Sequence, residues 1–160
     1  MAQQIVLARI DDRLIHGQVM TAWVGHVGAK DILIVDDKVA SDPFLAGVIT
    51  AAVPSSMRAK AVTVADAISR LAPGGDSEEG NVVLLAKGPE TYEALVDGGV
   101  PITEINLGGM GSKQERQLLY RNISASPAER ASFKRLIEKG TTVYIQVVPN
   151  SERVDIAKYL

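Results

Sequence analysis

Gln4-Ile5-Val6-Leu7-Ala8-Arg9-Ile10-Asp11-Asp12-Arg13-Leu14-Ile15-His16-Gly17-Gln18-Val19 begins as an apolar run and passes, through a cluster of charges, into a helical pattern. The run Gln4–Arg9 reads as a strand, and Val19, Trp23 and Val27 then fall at i, i+4 and i+8, one face of a helix beginning near His16. The same alternation continues along the chain. Further strand-like runs occur at Asp31–Asp36, Arg58–Thr63, Asn81–Ala86, Thr103–Leu107, Leu119–Ile123 and Thr142–Val147, which makes seven in all. Helix starts lie between them. Asp42 has the chemistry of an N-cap with Pro43 at the first helical position, and Leu45, Val48, Ile49 and Ala52 would form the buried stripe. Thr63 with Asp66, and Ser126-Pro127 with Glu129, mark two more starts, the second spaced as a capping box; Pro89–Val96 forms a short helix. Near-continuous apolar strands separated by helices imply a mostly parallel sheet covered on both faces. The expected fold is therefore α/β: a single doubly wound domain spanning residues 1–160, with an open twisted sheet of about seven strands. The polar, glycine-rich stretch 72–80 reads as a mobile surface loop, not a domain boundary.

Composition narrows the function. The chain has 160 residues, 46% of them hydrophobic, enough for one core. Its 17 basic and 19 acidic residues are spread along the sequence and only 4% are aromatic, so neither a basic footprint nor a stacking platform for nucleic acid is present. No signal peptide is apparent, and no apolar stretch approaches the roughly 20 residues of a membrane span. A soluble protein starting at its native N-terminus, without direct membrane insertion, is expected. The absence of cysteine rules out disulfides and thiolate chemistry and fits the cytoplasm.

In an open α/β sheet, ligands collect beyond the carboxyl ends of the strands, and the first such turn carries Arg9, Asp11, Asp12, Arg13 and His16. Phosphoryl groups require cations and N–H donors; a helix N-terminus supplies the second and Arg13 a bidentate fork. His16 is the candidate nucleophile. A neighbouring guanidinium disfavours the imidazolium, leaving a lone pair near neutral pH, and then stabilises the phosphohistidine. Asp11 is placed to hold Arg13 by an ion pair, Gly17 removes a side chain beside the histidine, Gln18 could donate to a phosphate oxygen, and Arg9 and Gly17 join Gln18 as candidate phosphate contacts. Each has a plainer alternative: His16 as a capping or surface residue, and Asp12 as a turn residue or N-cap. His26 reads as structural or solvated. Asp36-Asp37 at a strand end are either a turn or part of a metal pair, but no His, Asp or Glu spacing completes a metal site. A second glycine-rich cluster, Leu107-Gly108-Gly109-Met110-Gly111-Ser112-Lys113-Gln114, is either a plain turn or the rim of the same site, with Gly109 and Ser112 as candidate phosphate contacts. It matches neither nucleotide-loop pattern.

The stretch from Ala8 to Val19 closely resembles the enzyme IIB component of the mannose/fructose/sorbose family of the bacterial sugar phosphotransferase system. The resemblance continues through Ile34-Val35-Asp36-Asp37-Lys38-Val39-Ala40-Ser41-Asp42, Gly99-Val100-Pro101, Ile105-Asn106-Leu107-Gly108 and Ile145-Gln146-Val147-Val148-Pro149, so it covers essentially the whole chain. It implies that His16 accepts a phosphoryl group on Nδ1 from the phosphohistidine of a IIA protein and passes it to a sugar delivered by membrane-embedded IIC and IID. Arg13 and Asp11 match the family's phosphate-binding arginine and its supporting acid, and the family chemistry uses no metal, nucleotide or other cofactor. The implied fold has six parallel strands and one antiparallel strand. No IIA domain is fused to this chain, so a separate donor is expected, and the Gly108–Gly111 segment is not firmly matched. The resulting expectation is a cytoplasmic phosphocarrier, associated with the inner face of the membrane only through IIC and IID, with homo-oligomer formation left open. Leu14, Ile15, Met20 and Met110 are candidate docking residues for IIA. The rival readings are a binding module for a phosphorylated metabolite or anion, and a regulatory interaction protein.

Overall fold

The computed structural model describes residues 3–15, 17–53, 55–75 and 80–160. The chain runs β1 (Gln4–Asp11), α1 (Gly17–Val27), β2 (Asp31–Val35), α2 (Asp37–Ala40), α3 (Pro43–Thr50), β3 (Arg58–Val62), α4 (Val64–Leu71) and β4 (Asn81–Ala86). It continues with α5 (Pro89–Asp97), β5 (Glu104–Gly109), β6 (Gln117–Tyr120), β7 (Ile123–Ala125), α6 (Pro127–Glu138), β8 (Thr142–Ile145) and β9 (Val154–Asp155). The main sheet has seven strands in the order β3-β2-β4-β1-β5-β8-β9. All neighbours are parallel except β8 and β9, where Tyr144 lies opposite Asp155 and Ile145 opposite Val154.

Period-two alternation divides the strands between two cores. In β4, Val82, Leu84 and Ala86 join Leu71, Tyr92, Leu95, Phe133 and Leu136 from the helices of one face. Val83 and Leu85 point the other way and join Met20, Trp23, Val24 and Val39. This two-sided burial explains the unbroken apolar runs, since each strand must satisfy a hydrophobic layer above and below. The doubly wound α/β expectation holds. The helix starts also form as read: Asp42 Oδ1 accepts from Leu45 N at 3.1 Å, Thr63 Oγ1 from Asp66 N at 3.1 Å, and Ser126 and Glu129 make a reciprocal capping box.

Two expectations about elements require correction. The run Leu119–Ile123 is not a strand of the main sheet. Arg121 takes φ +46°, and the chain reverses there into the separate antiparallel hairpin β6–β7. The seventh strand is instead β9, whose two residues are too few to show any pattern. The stripe on α3 also differs. Leu45, Ala46 and Ile49 pack inward, whereas Val48 is 56% exposed and Ala52 lies beyond the helix end. The surface-loop reading of 72–80 falls partly on 76–79, outside the described residues.

From β1 the chain crosses through α1 to β2, and from the neighbouring β4 it crosses through α5 in the opposite direction to β5. Such divergence opens a crevice at the strands' carboxyl ends. The Asp11–Arg13 turn stands there.

Candidate functional site: the turn after the first strand

The apolar face that β1 turns toward α1 is interrupted at Arg9, which has no exposed surface. Burying a guanidinium is costly unless its donors are paired, and here nearly all are. Nη1 donates to Asn106 Oδ1 at 2.5 Å and to the Gln146 carbonyl at 3.1 Å; Nη2 donates to the Val147 carbonyl at 3.1 Å and to Asp11 Oδ2 at 3.4 Å. The guanidinium carbon lies 5.5 Å from the centre of the Trp23 ring, and Trp23 Nε1 donates to the same Val147 carbonyl at 2.9 Å. Among the described residues, Arg9 Nε is the one buried side-chain polar atom without a partner. Burial lowers the Arg9 pKa, an effect opposed by the Asp11 carboxylate.

Asp11, 1% exposed, relays this buried charge to the surface. Its Oδ1 accepts from Arg13 N at 3.1 Å and Arg13 Nε at 3.0 Å, and its Oδ2 accepts from Arg13 Nη2 at 3.0 Å. The expected ion pair is therefore present as a bidentate fork. The hydrogen bonds to Asp11 raise the Arg13 pKa, and the Arg13 side chain remains 51% exposed. One face of its guanidinium is fixed and the rest is available.

The backbone is tightly specified. Leu14 N bonds to the Asp11 carbonyl at 2.9 Å, and Leu14 then takes φ +58° with its side chain 2% exposed in the core under α1. A bulky residue in left-handed backbone is uncommon and persists where its surroundings hold it. Gly17 opens α1 at φ +51° with no atom within 4 Å of an added Cβ, so its glycine serves conformation and not space. His16 lies outside the described residues, and so does the side chain of Gln18.

The second glycine cluster belongs to this site, but as a cradle. A Cβ at Gly108 would overlap the Arg9 guanidinium; one at Gly109 would lie 2.9 Å from Asp11 Oδ1 and 3.4 Å from Arg13 Nη2. Only glycine lets β5 come this close to the Arg9-Asp11-Arg13 chain. Ser112 is exposed in the loop that follows.

Several expectations change here, while the turn reading of Asp36-Asp37 and the structural reading of His26 stand. Arg9 is not placed to touch a ligand, because it is completely buried and its donors face the interior. Asp12 lies in the turn but does not cap α1: its Oδ2 accepts from Gly111 N and from Arg116 Nη1, each at 2.9 Å. Leu14, Ile15, Met20 and Met110 are buried, at 2%, 8%, 3% and 0% exposure, and offer no docking surface. Asp36 caps α2 through Val39 N, and Asp37 accepts from Val64 N, so both serve turns. His26 packs edge-on against Trp23. Asn106, Trp23 and Arg116 were missed. A lone amide inside Ile105-Asn106-Leu107 was the available signal for Asn106, since a polar residue within an apolar strand has to be explained by a partner.

Fold and turn together define a doubly wound domain that presents a buttressed arginine at a strand-to-helix turn, an arrangement suited to phosphoryl groups. Residues 5–160 match the family model for the PTS system sorbose subfamily IIB component. The chain belongs to this family of phosphotransferase-system IIB components. It is 34% identical over 156 residues to the N-acetylgalactosamine-specific phosphotransferase enzyme IIB component 2 of Escherichia coli K12, covering 98% of each chain. It is 35% identical over 150 residues to the mannose-specific EIIAB component of E. coli K12, covering 94% of this chain and 46% of that protein. Among solved structures, it superposes on the IIBSor domain of the Klebsiella pneumoniae sorbose permease with a TM-score of 0.90 and 32% identity, covering 98% and 96% of the two chains. No helix among the described residues is long and apolar enough to cross a membrane.

Proposed function

We propose that the chain is one IIB domain that carries a phosphoryl group on His16, between a IIA phosphohistidine and a sugar bound by membrane IIC and IID components, at the inner face of the membrane. The observation that carries this reading is the Asp11-Arg13 fork at the carboxyl end of β1, three residues before His16 and opening on solvent. In the first step a lone pair on His16 Nδ1 attacks phosphorus in line, the bond from phosphorus to the donor imidazole breaks, and the donor keeps that electron pair. In the second, a sugar hydroxyl oxygen attacks, the bond from His16 to phosphorus breaks, and the hydroxyl proton is released. Arg13 neutralises charge on the equatorial oxygens while the fixed turn keeps the geometry, so that positioning and electrostatics do most of the work. The EIIAB name of the mannose-specific relative, of which this chain spans 46%, supports a IIA donor.

Incubation with phosphoenolpyruvate, the general phosphotransferase proteins and IIA is expected to yield an acid-labile, base-stable phosphoprotein that His16→Ala abolishes. A wild-type protein that takes no label overturns the reading. Arg13→Ala should leave the melting temperature nearly unchanged, because the side chain is half exposed, and slow transfer about 10²-fold. Unaltered single-turnover kinetics would remove Arg13 from the mechanism.

A further inference from the structure

We infer that Arg116, held between Asp12 and Glu129, is a positioning residue that sets the phosphoryl-handling turn; this rests on the phosphocarrier reading above. The loop 111–115 is exposed, yet the Arg116 side chain that closes it is only 6% exposed. Glu115, immediately before it, takes φ +76°, a left-handed backbone uncommon for glutamate, and Arg116 N bonds to the Lys113 carbonyl at 3.0 Å. Its guanidinium is then almost fully used. Nε and Nη2 make a bidentate pair with Glu129 at 2.9 and 2.8 Å, while Nη1 donates to Asp12 Oδ2 at 2.9 Å and to the Gly111 carbonyl at 3.0 Å.

These contacts join three segments at one point. Glu129 is fixed by the capping box of α6, where its Oε1 also accepts from Ser126 N at 2.9 Å. Asp12 is gripped twice from the 110–116 loop, by Arg116 and by Gly111 N. Asp12 N in turn donates to the Gly109 carbonyl at 3.0 Å. Asp12 sits between Asp11 and Arg13, so displacing it would carry the fork with it. Arg116 does not face a ligand; it acts through Asp12. A planar guanidinium is required, because an ammonium keeps the charge but cannot make the paired bonds to Glu129 together with the bond to Asp12. Hydrogen bonding to Glu129 raises the Arg116 pKa, burial opposes this, and hydrogen bonding to Asp12 adds to the rise.

The test is single-turnover transfer from phosphorylated IIA to the full chain, well below the melting transition, comparing wild type, Arg116→Gln, Arg116→Lys and Asp12→Asn. Arg116→Gln is expected to lower the rate at saturating donor about tenfold with the half-saturating donor concentration unchanged, since misplacement costs rate and not docking. Arg116→Lys should recover part of the loss. The Arg116→Gln/Asp12→Asn double variant should be no slower than the slower single, as for two groups sharing one contact. Equal rates in all variants, or losses no larger than the unfolded fraction measured by circular dichroism, overturn the inference. Failure of the wild type itself to accept label would instead refute the phosphocarrier reading.

Discussion

Replacing Gly108 by alanine is expected to lower the melting temperature by about 10 °C, taking an overpacking cost of roughly 3 kcal/mol and about 2–4 °C per kcal/mol for a chain of this size. Transfer should fall with it. The added methyl would occupy the place of the Arg9 guanidinium, which is completely buried and tied to β5, to the Gln146-Val147 segment and to Asp11. Any shift that relieves the overlap therefore disturbs Asp11, and through it Arg13. Gly25→Ala is the control: Gly25 is exposed in α1 with nothing within 4 Å of an added Cβ, and alanine should stabilise the helix by about 0.5–1 kcal/mol. If thermal melts place Gly108→Ala at or above the wild-type temperature, the cradle has no energetic role.

The second large effect is expected from Asp11→Asn, which keeps the shape and removes the charge. Asp11 is the carboxylate that faces Arg9 in the interior and Arg13 at the surface. Its amide analogue leaves the buried guanidinium without a counter-charge, a loss of about 3–5 kcal/mol by analogy with broken buried pairs. The interaction with half-exposed Arg13 adds little to that sum, because solvent screens it. Denaturant unfolding should show a lower midpoint with an unchanged slope. Transfer by Asp11→Asn should be at least as slow as by Arg13→Ala, and adding Arg13→Ala should slow it little further, since both act on one fork. A stable, fully active Asp11→Asn protein would show that the fork is ornamental.

Much of this architecture was legible because its causes are local. Asp42, Thr63 and Ser126 announce helix starts by a hydrogen bond to a backbone N–H three residues on, and strands buried on both faces announce themselves as unbroken apolar runs. The charge cluster at 9–16 and the Asp11-Arg13 pair were legible for the same reason, being neighbours in sequence. What escaped depends on distant partners. Arg9 looked like a ligand-binding cation until the Asn106 side chain and the Gln146 and Val147 carbonyls were seen around it. Asp12 looked like a simple turn residue, and its partner Arg116 is 104 positions away. The hairpin was mistaken for one strand because Tyr120 and Ile123 continue the apolar pattern across a turn that only the left-handed Arg121 reveals. Leu14, Ile15, Met20 and Met110 were misjudged because an apolar residue near a site is core before it is surface.

Leu14 sets two demands that no residue satisfies together. Glycine would relax its left-handed backbone and leave a hole beneath α1, whereas valine or isoleucine would fill the hole and worsen the strain. The contour of the turn is thus enforced by burial of Leu14 in the cluster that also holds Leu7, Trp23, Val83 and Leu85, and not by the turn's own preferences. A cavity opened in that layer, with every charge of the turn left in place, would act as a kinetic mutation: it would let the backbone at Leu14 slacken and blunt the loop proposed to carry the phosphoryl group while the fold survived.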